Sequence, residues 1–222
     1  MTDSHHLDAS ELLFWDVDTQ FDFIQPEGKL YVPGAEKIIE NLRRLTAAAS
    51  KAEILIVAST CAHQPGDAEF QQFPPHCLAG TPGQKKISET MVNDHYVIPN
   101  RKLDLPADLS GHRQIVIEKQ QFDVFSNPNV DELLRRLGKR EAILYGVVTE
   151  VCVDRAARGL IERGYRVHLV RDAVQHLDAN LGRATADEIT KHGGRLLTTD
   201  EALGGIAQRT GADISSVTSP NR

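Results

Sequence analysis

Tyr145-Gly146-Val147-Val148-Thr149-Glu150-Val151-Cys152-Val153 is the stretch whose reading decides the fold. It closes an apolar run, Ala142 to Val148 broken by Gly146, with the composition of a buried strand. Behind it Val153, Ala156, Ala157, Leu160 and Ile161 are spaced for one helical face, and Gly164 is placed to end the helix. Thr149 stands where an N-cap is wanted, which puts Cys152 in the first helical turn. There the positive end of the helix dipole and the free backbone N–H groups lower a thiol's pKa, and the same N–H groups can bind a developing oxyanion. A small buried cysteine packed between strand and helix is the competing reading.

The rest of the chain repeats this alternation. Leu12 to Val17 reads as a strand ending in polar Asp18-Thr19-Gln20, and Gln25 to Gly34 as a loop punctuated by proline and glycine. Ile38, Ile39, Leu42 and Leu45 mark a helix over 35–50, and Ile54 to Ala58 a second buried strand. Ser59 to Gly83 is long, irregular and rich in His, Pro and Gly, the composition of a functional loop. Val97-Ile98 reads as a short edge strand, Ile115 to Ile117 as a strand ending at Glu118-Lys119, and Val130 to Leu137 as a helix. Tyr165 to Val170 is a further strand, Leu181 to His192 a helix, Arg195 to Thr198 a last short strand, and a final helix starts near Asp200. Continuous apolar strands alternating with helices predict a doubly wound, mostly parallel sheet of about six strands in a three-layer α/β/α sandwich. One domain over 1–222 is expected, with 1–10 and 210–222 as loose tails.

Composition narrows the function classes. With 25 basic against 31 acidic residues the net charge is −6, which leaves no basic footprint for nucleic acid. No apolar stretch approaches the length of a membrane span, and Met1 to Ser10 is polar and acidic, unlike a signal peptide. Cys61, Cys77 and Cys152 do not make a disulfide framework, so a reducing, cytoplasmic setting is expected.

In a parallel sheet, ligands sit beyond the carboxyl ends of the strands, where the strand order reverses. Asp18, Lys119 and Cys152 all fall at that edge, bringing an acid, a cation and a thiol to one place, which suits a nucleophile with its base and its electrostatic support. Singly, Asp18 also reads as a turn cap and Lys119 as a solvated surface lysine. Asp16, one pleat deeper, and Asp22, past the turn, are rivals to Asp18.

The motifs resemble those of the isochorismatase-like cysteine hydrolases over about Leu12 to Leu203. Asp18-Thr19-Gln20-Phe21-Asp22-Phe23 resembles that family's D-x-Q-x-D-F opening, and Val32-Pro33-Gly34-Ala35 its V-P-G-A. Gly146 to Val153 is similar to the nucleophile signature G-V-x-T-x-x-C-V, and Gly164-Tyr165-Arg166-Val167 and Arg171-Asp172-Ala173 to the downstream G-Y-x-V and D-A. Lys119 with Phe125-Ser126 resembles K-x-x-x-S-x-F, with the order changed to K-x5-F-S. The resemblance implies that Cys152 is the nucleophile, Asp18 the general base and acid, and Lys119 the group that holds both. It also implies a cis peptide before Val148, with the N–H groups of Val148 and Cys152 forming an oxyanion hole, and amide hydrolysis through a thioester.

Phe73-Pro74-Pro75-His76-Cys77-Leu78-Ala79-Gly80-Thr81-Pro82-Gly83 is similar to the W-P-P-H-C-x-x-G-T-x-G stretch of the nicotinamidase branch. By that resemblance His76 would be a metal ligand, Phe73 and Phe23 the aromatic walls of the substrate pocket, and Cys77 structural. The branch's D-x-H metal motif falls on Cys61-Ala62-His63, with cysteine in place of aspartate. A second histidine is missing, leaving Asp67 and Glu69 as carboxylates nearby. Cys61, His63 and His76 with one carboxylate would suit a divalent metal such as zinc. Alternatively the histidines serve as hydrogen-bond donors or meet the substrate directly.

The expected activity is therefore cysteine-dependent cleavage of a small C–N amide, nicotinamide or a relative. A metal-free relative acting on another small amide, carbamoyl or vinyl-ether substrate is the alternative, and a catalytically silent small-molecule binder on the same fold is the third reading. A homo-oligomer is expected from the resemblance.

Overall fold

The computed structural model describes residues 10–109, 111–211 and 214. In chain order the elements are β1 (Leu12–Val17), α1 (Phe21–Ile24), α2 (Ile39–Lys51), β2 (Ile56–Cys61), β3 (His95–Ile98), β4 (Gln114–Lys119), α3 (Val130–Leu137), β5 (Glu141–Val147), α4 (Asp154–Glu162), β6 (Arg166–Gln175), α5 (Ala179–Lys191), β7 (Leu196–Leu197) and α6 (Thr199–Thr210). The strands form one seven-stranded sheet in the order β3-β4-β2-β1-β5-β6-β7, and each neighbouring pair is parallel. The doubly wound sandwich expected from the sequence is present, with the edge pair β3 and β7 bringing the strand count to seven.

The strands read as unbroken apolar runs because both faces are covered. Along β1, Leu12 and Phe14 pack with Leu42, Leu45 and Ala49 of α2 and Leu203 and Ile206 of α6. Leu13, Trp15 and Val17 point the other way, toward Leu133 and Leu134 of α3, Ala156, Ala157 and Leu160 of α4 and Ile189 of α5. A strand residue on either face is therefore taken out of water, which is why polar alternation is absent.

On one side of β1 the chain lays down β2, then the edge strand β3, then β4 between them, and it crosses to the other side for β5, β6 and β7. The reversal between β2 and β5 places β1 at the switch point, where the strand ends splay to leave a crevice. Gly146 lets β5 press against β1 there: it pairs with Val17, has φ +118°, and a Cβ on it would stand 2.1 Å from the Val17 carbonyl oxygen. Any side chain at 146 would push the two central strands apart.

Two expectations fail locally. Thr149 to Val153 form a π-helical turn that runs directly into α4 at Asp154, so Cys152 lies in the first turn as expected, but the cap position falls on Val148 and not on Thr149. The Thr149 hydroxyl is buried without a hydrogen-bond partner and caps nothing, because the chain leaves β5 at Val148 with the carbonyl of that residue already accepting from Val151 and Val153. At the far end, the helix expected from Asp200 runs to Thr210, and Ile214 is buried in the layer that holds Leu203 and Ile206, so the end of the chain contributes an apolar side chain to the core. The rest of the expected loose segments lies outside the described residues.

Candidate active site

Asp18, Lys119 and Cys152 meet. Asp18 follows the last residue of β1 with φ +51°, a left-handed conformation that turns its carboxylate out of the strand. Oδ1 accepts a hydrogen bond from the Ser59 hydroxyl at 2.7 Å, and Oδ2 lies 2.8 Å from Lys119 Nζ. That contact is an ion pair outside hydrogen-bonding angles, so Oδ2 keeps room for another proton. The Cys152 thiol stands beside the same ammonium as this carboxylate. Lys119 ends β4 and reaches across the end of β2, with its Nζ 3.6 Å from Cys152 Sγ and 3.2 Å from Cys61 Sγ. Four adjacent strand ends, β4, β2, β1 and β5, thus supply Lys119, Ser59 and Cys61, Asp18, and Cys152. The peptide bond between Val147 and Val148 is cis.

Burial sets the resting charges. It pulls the Lys119 pKa down, but Asp18, Cys152 and Cys61 around the ammonium outweigh it, and the lysine is held well above its ordinary value. For Cys152 the balance goes the other way. Burial pushes the thiol up, Lys119 draws it down, Asp18 pushes it up again, and the net is well above the ordinary cysteine value. The expected lowering by a helix N-terminus is therefore overturned. The thiol sits in the π-type turn, enclosed by apolar neighbours and one carboxylate, and rests as S–H beside Asp18 and Lys119.

The rival aspartates have other work. Asp16 accepts from Lys86 Nζ at 2.8 Å and from the Thr19 hydroxyl at 2.9 Å, a buried network beneath the turn that carries Asp18. Asp22 accepts from the backbone N–H of Cys77 at 2.7 Å and of Lys29 at 3.0 Å, pinning two loops. Gln20, between them, grips the main chain of Cys61 from both sides: its Oε1 accepts from Cys61 N at 2.6 Å and its Nε2 donates to Cys61 O at 2.8 Å. The opening motif places Asp18 against Lys119 and gives the loop two latches, Gln20 and Asp22.

Next to the triad lies a second group. His63, Glu69 and His76 present one ligand atom each, all within 4.8 Å of one another. His63 Nδ1 is 2.9 Å from Asp67 Oδ2, and its Nε2 is buried with no hydrogen-bond partner. His76 Nδ1 donates to the Pro74 carbonyl at 2.8 Å, which leaves the Nε2 lone pair pointing toward Glu69 Oε1, 3.5 Å away. Burial lowers the His76 pKa, and raises that of Glu69. Two oriented imidazoles, one buried and orphaned at Nε2 among the described residues, with a carboxylate between them fit a divalent ion held by His2Glu ligation, Asp67 fixing the His63 ring from behind. Cys61 stands outside this group, contrary to its expected place among the ligands. Its strand position turns the thiol toward Lys119, and Glu69 supplies the third donor.

The family model described as the Isochorismatase domain matches residues 12–108 and 99–201. The chain belongs to the isochorismatase family. It is 31% identical over 157 residues to a streptothricin hydrolase of Streptomyces noursei, a match covering 71% of this chain and 47% of that protein. The chain thus spans about half the length of the curated relatives it matches first. Among solved structures, the zinc complex of the pyrazinamidase of Pyrococcus horikoshii superposes with a TM-score of 0.69 at 26% identity, covering 85% of this chain and 99% of that one. The N-carbamoylsarcosine amidase of Thermoplasma acidophilum superposes with a TM-score of 0.68 at 25% identity, covering 86% and 98%.

Within this isochorismatase-family site the aromatic residues divide. Phe23 is buried with its ring centroid 5.4 Å from that of His76, so it lines the histidine group. Phe73 is half-buried and pairs edge-on with Phe122 at 6.0 Å, farther out along the loop. Phe70, which the sequence reading passed over, packs on both histidines, 5.2 Å from His63 and 5.7 Å from His76. Its signal was an aromatic one residue after Glu69 in the same loop. Phe125 stacks on Trp15 and lies under the Arg163 guanidinium, which makes it a core residue. An open cavity of 620 Å³, lined by Asp67, Glu69, Gln120, Phe122, Asp123 and Arg155, reaches the histidine group through Glu69. Among the described residues no helix is long and apolar enough to cross a membrane.

Proposed function

We propose that this isochorismatase-family chain is a cysteine amidohydrolase that cleaves a small C–N amide through a thioester. The observation that carries the reading is one buried ammonium, Lys119, within 2.8 Å of an aspartate and 3.6 Å of a cysteine at the switch point of the sheet. A binding module has no need of these three groups as a set. In the reaction Asp18 takes the Cys152 thiol proton at Oδ2, and the charge moves from carboxylate to sulfur while Lys119 stays beside both. The thiolate adds to the substrate carbonyl, and the N–H groups of Val148 and Cys152 hold the oxyanion. Asp18 returns the proton to the departing nitrogen, and water then clears the thioester with Asp18 again as base. A thiol that rests protonated beside its base avoids carrying an unneeded buried anion between turnovers.

His63, Glu69 and His76 would hold a divalent ion such as zinc, which when bound supplies a Lewis acid for a lone pair of the substrate. The rest of the pocket belongs to the chain: Phe23 and Phe70 wall the histidine group, and Phe73 stands with Phe122 toward the opening. Nicotinamide is the first substrate to test, because the superposed zinc-bound protein is a pyrazinamidase and the Phe73–Gly83 loop resembles the nicotinamidase stretch. Another small amide or carbamoyl compound is the second, favoured by the altered donor set, in which Cys61 faces Lys119 and Glu69 stands with the histidines.

The test is ammonia release from nicotinamide by the purified protein, with Cys152→Ala as the blank. Release that vanishes in the variant supports reaction, nucleophile and substrate together. No release from nicotinamide, with release from N-carbamoyl compounds or other small amides, moves the substrate to the second class. No turnover of any amide, with ligand binding retained, would leave the silent binder standing.

A further inference from the structure

Cys61 has no part in the hydrolysis derived above, yet its sulfur shares a nitrogen with the nucleophile. Lys119 Nζ lies 3.2 Å from Cys61 Sγ, at the end of β2, and 3.6 Å from Cys152 Sγ, in the turn that follows β5. Both are free thiols in the buried centre of the site. We propose that Cys61 is a resolving thiol for Cys152, so that a hydroperoxide converts the nucleophile into a Cys61–Cys152 disulfide.

The chemistry uses groups already in place. Asp18 takes the Cys152 proton, and the thiolate attacks the outer oxygen of the hydroperoxide. The O–O bond breaks, an S–OH bond forms, and the departing alkoxide or hydroxide leaves with the proton as alcohol or water. The Cys61 thiol then attacks the sulfenic sulfur, an S–S bond replaces S–O, and water departs with the Cys61 proton. Two thiols are oxidised by two electrons and one peroxide is reduced. Cys152 is the first to react because Asp18, the base proposed above for its proton, stands against the same ammonium. Cys77, the remaining thiol, is engaged elsewhere: its Sγ donates to the Gly83 carbonyl at 3.7 Å, and its N–H is tied to Asp22. Without a resolving partner a sulfenic acid at the nucleophile proceeds to the irreversible sulfinic acid. The neighbouring thiol makes the modification reversible.

The experiment needs no substrate, so it fails or succeeds independently of the proposed hydrolysis. The reduced full chain is treated with hydrogen peroxide at a small molar excess, blocked with an alkylating agent, and digested after glutamate. Cleavage at Glu69 separates Cys61 from Cys77, and cleavage at Glu150 and Glu162 isolates Cys152. The expected result is a linked peptide pair containing Cys61 and Cys152, lighter by two hydrogens and released by dithiothreitol. The Cys77→Ser variant should give the same pair, and Cys61→Ser should instead carry two added oxygens on Cys152 that dithiothreitol does not remove. Wild-type protein with those oxygens on Cys152 and an alkylatable Cys61 would overturn the proposal, as would a Cys61–Cys77 bond. If Cys61→Ser does not fold, the wild-type map alone decides.

Discussion

The triad and the histidine group are neighbours built on different foundations. Asp18, Lys119 and Cys152 hang from strand ends whose register is set by the whole sheet, and a side chain at a strand end has one direction to point. His63, Glu69 and His76 come from the irregular segment after β2, where Asp22 and Gln20 tie down the main chain and local hydrogen bonds aim each ring. The first group is a property of the fold. The second is a property of one loop, and it can exchange a donor without disturbing the sheet, which is how a carboxylate eight residues beyond Cys61 comes to stand with the imidazoles.

The contrast can be broken most severely at the nucleophile. Cys152→Ala should lower amide turnover by about 10⁴-fold or more, with the fold intact, since covalent catalysis has no substitute group there. Residual turnover within tenfold of wild type would remove Cys152 from the reaction. Lys119→Ala should cost about 3–5 kcal/mol in urea unfolding, because it strips the counter-charge from a carboxylate that is 1% exposed. No measurable loss of stability would mean that Asp18 does not depend on this pair.

At the loop, Glu69→Ala and Cys61→Ala make the discriminating comparison. Zinc binding by equilibrium dialysis should weaken by at least about 10–100-fold in the first, and Asp67→Asn should fall in the same range through loss of the second shell. Cys61→Ala should bind zinc as wild type does; the opposite ranking would put the thiol back among the ligands. The last effect is alkaline. Burial pushes the Cys61 pKa from 9.0 to about 12, with Lys119 opposing and Asp18 adding to the rise. The folded chain therefore binds this proton more tightly than the unfolded one. Stability from this group is intact below about pH 9 and is lost toward pH 12, at about 1.4 kcal/mol per pH unit. Urea titrations across that range should show a shallower decline in Cys61→Ala than in wild type.

Most of the fold was legible because apolar runs on both faces of a parallel sheet leave a pattern that few other architectures produce, and Gly146 and Gly164 mark where β5 and α4 must bend or stop. The three triad residues were legible from position and chemical type together. What could not be read was orientation. A cysteine at 61 has the same letter whether its thiol meets a metal or Lys119, and the choice depends on which face β2 presents at its last residue. Glu69 was named as one of two available carboxylates, but whether it or Asp67 would stand among the ligands turns on the short helical turn at Ala68–Gln71, which no spacing rule anticipates. The charge state of Cys152 was misread for a similar reason. The helix-dipole argument assumed an ordinary first turn, and enclosure of the sulfur outweighs it.

The grip of Gln20 on Cys61 recognises an amide and a carbonyl that every residue other than proline owns. It therefore fixes the path of the chain at 61 while remaining indifferent to what that residue carries. A position secured in this manner keeps its main-chain path whatever thiol, hydroxyl or methyl it carries, within reach of the ammonium that also meets Cys152.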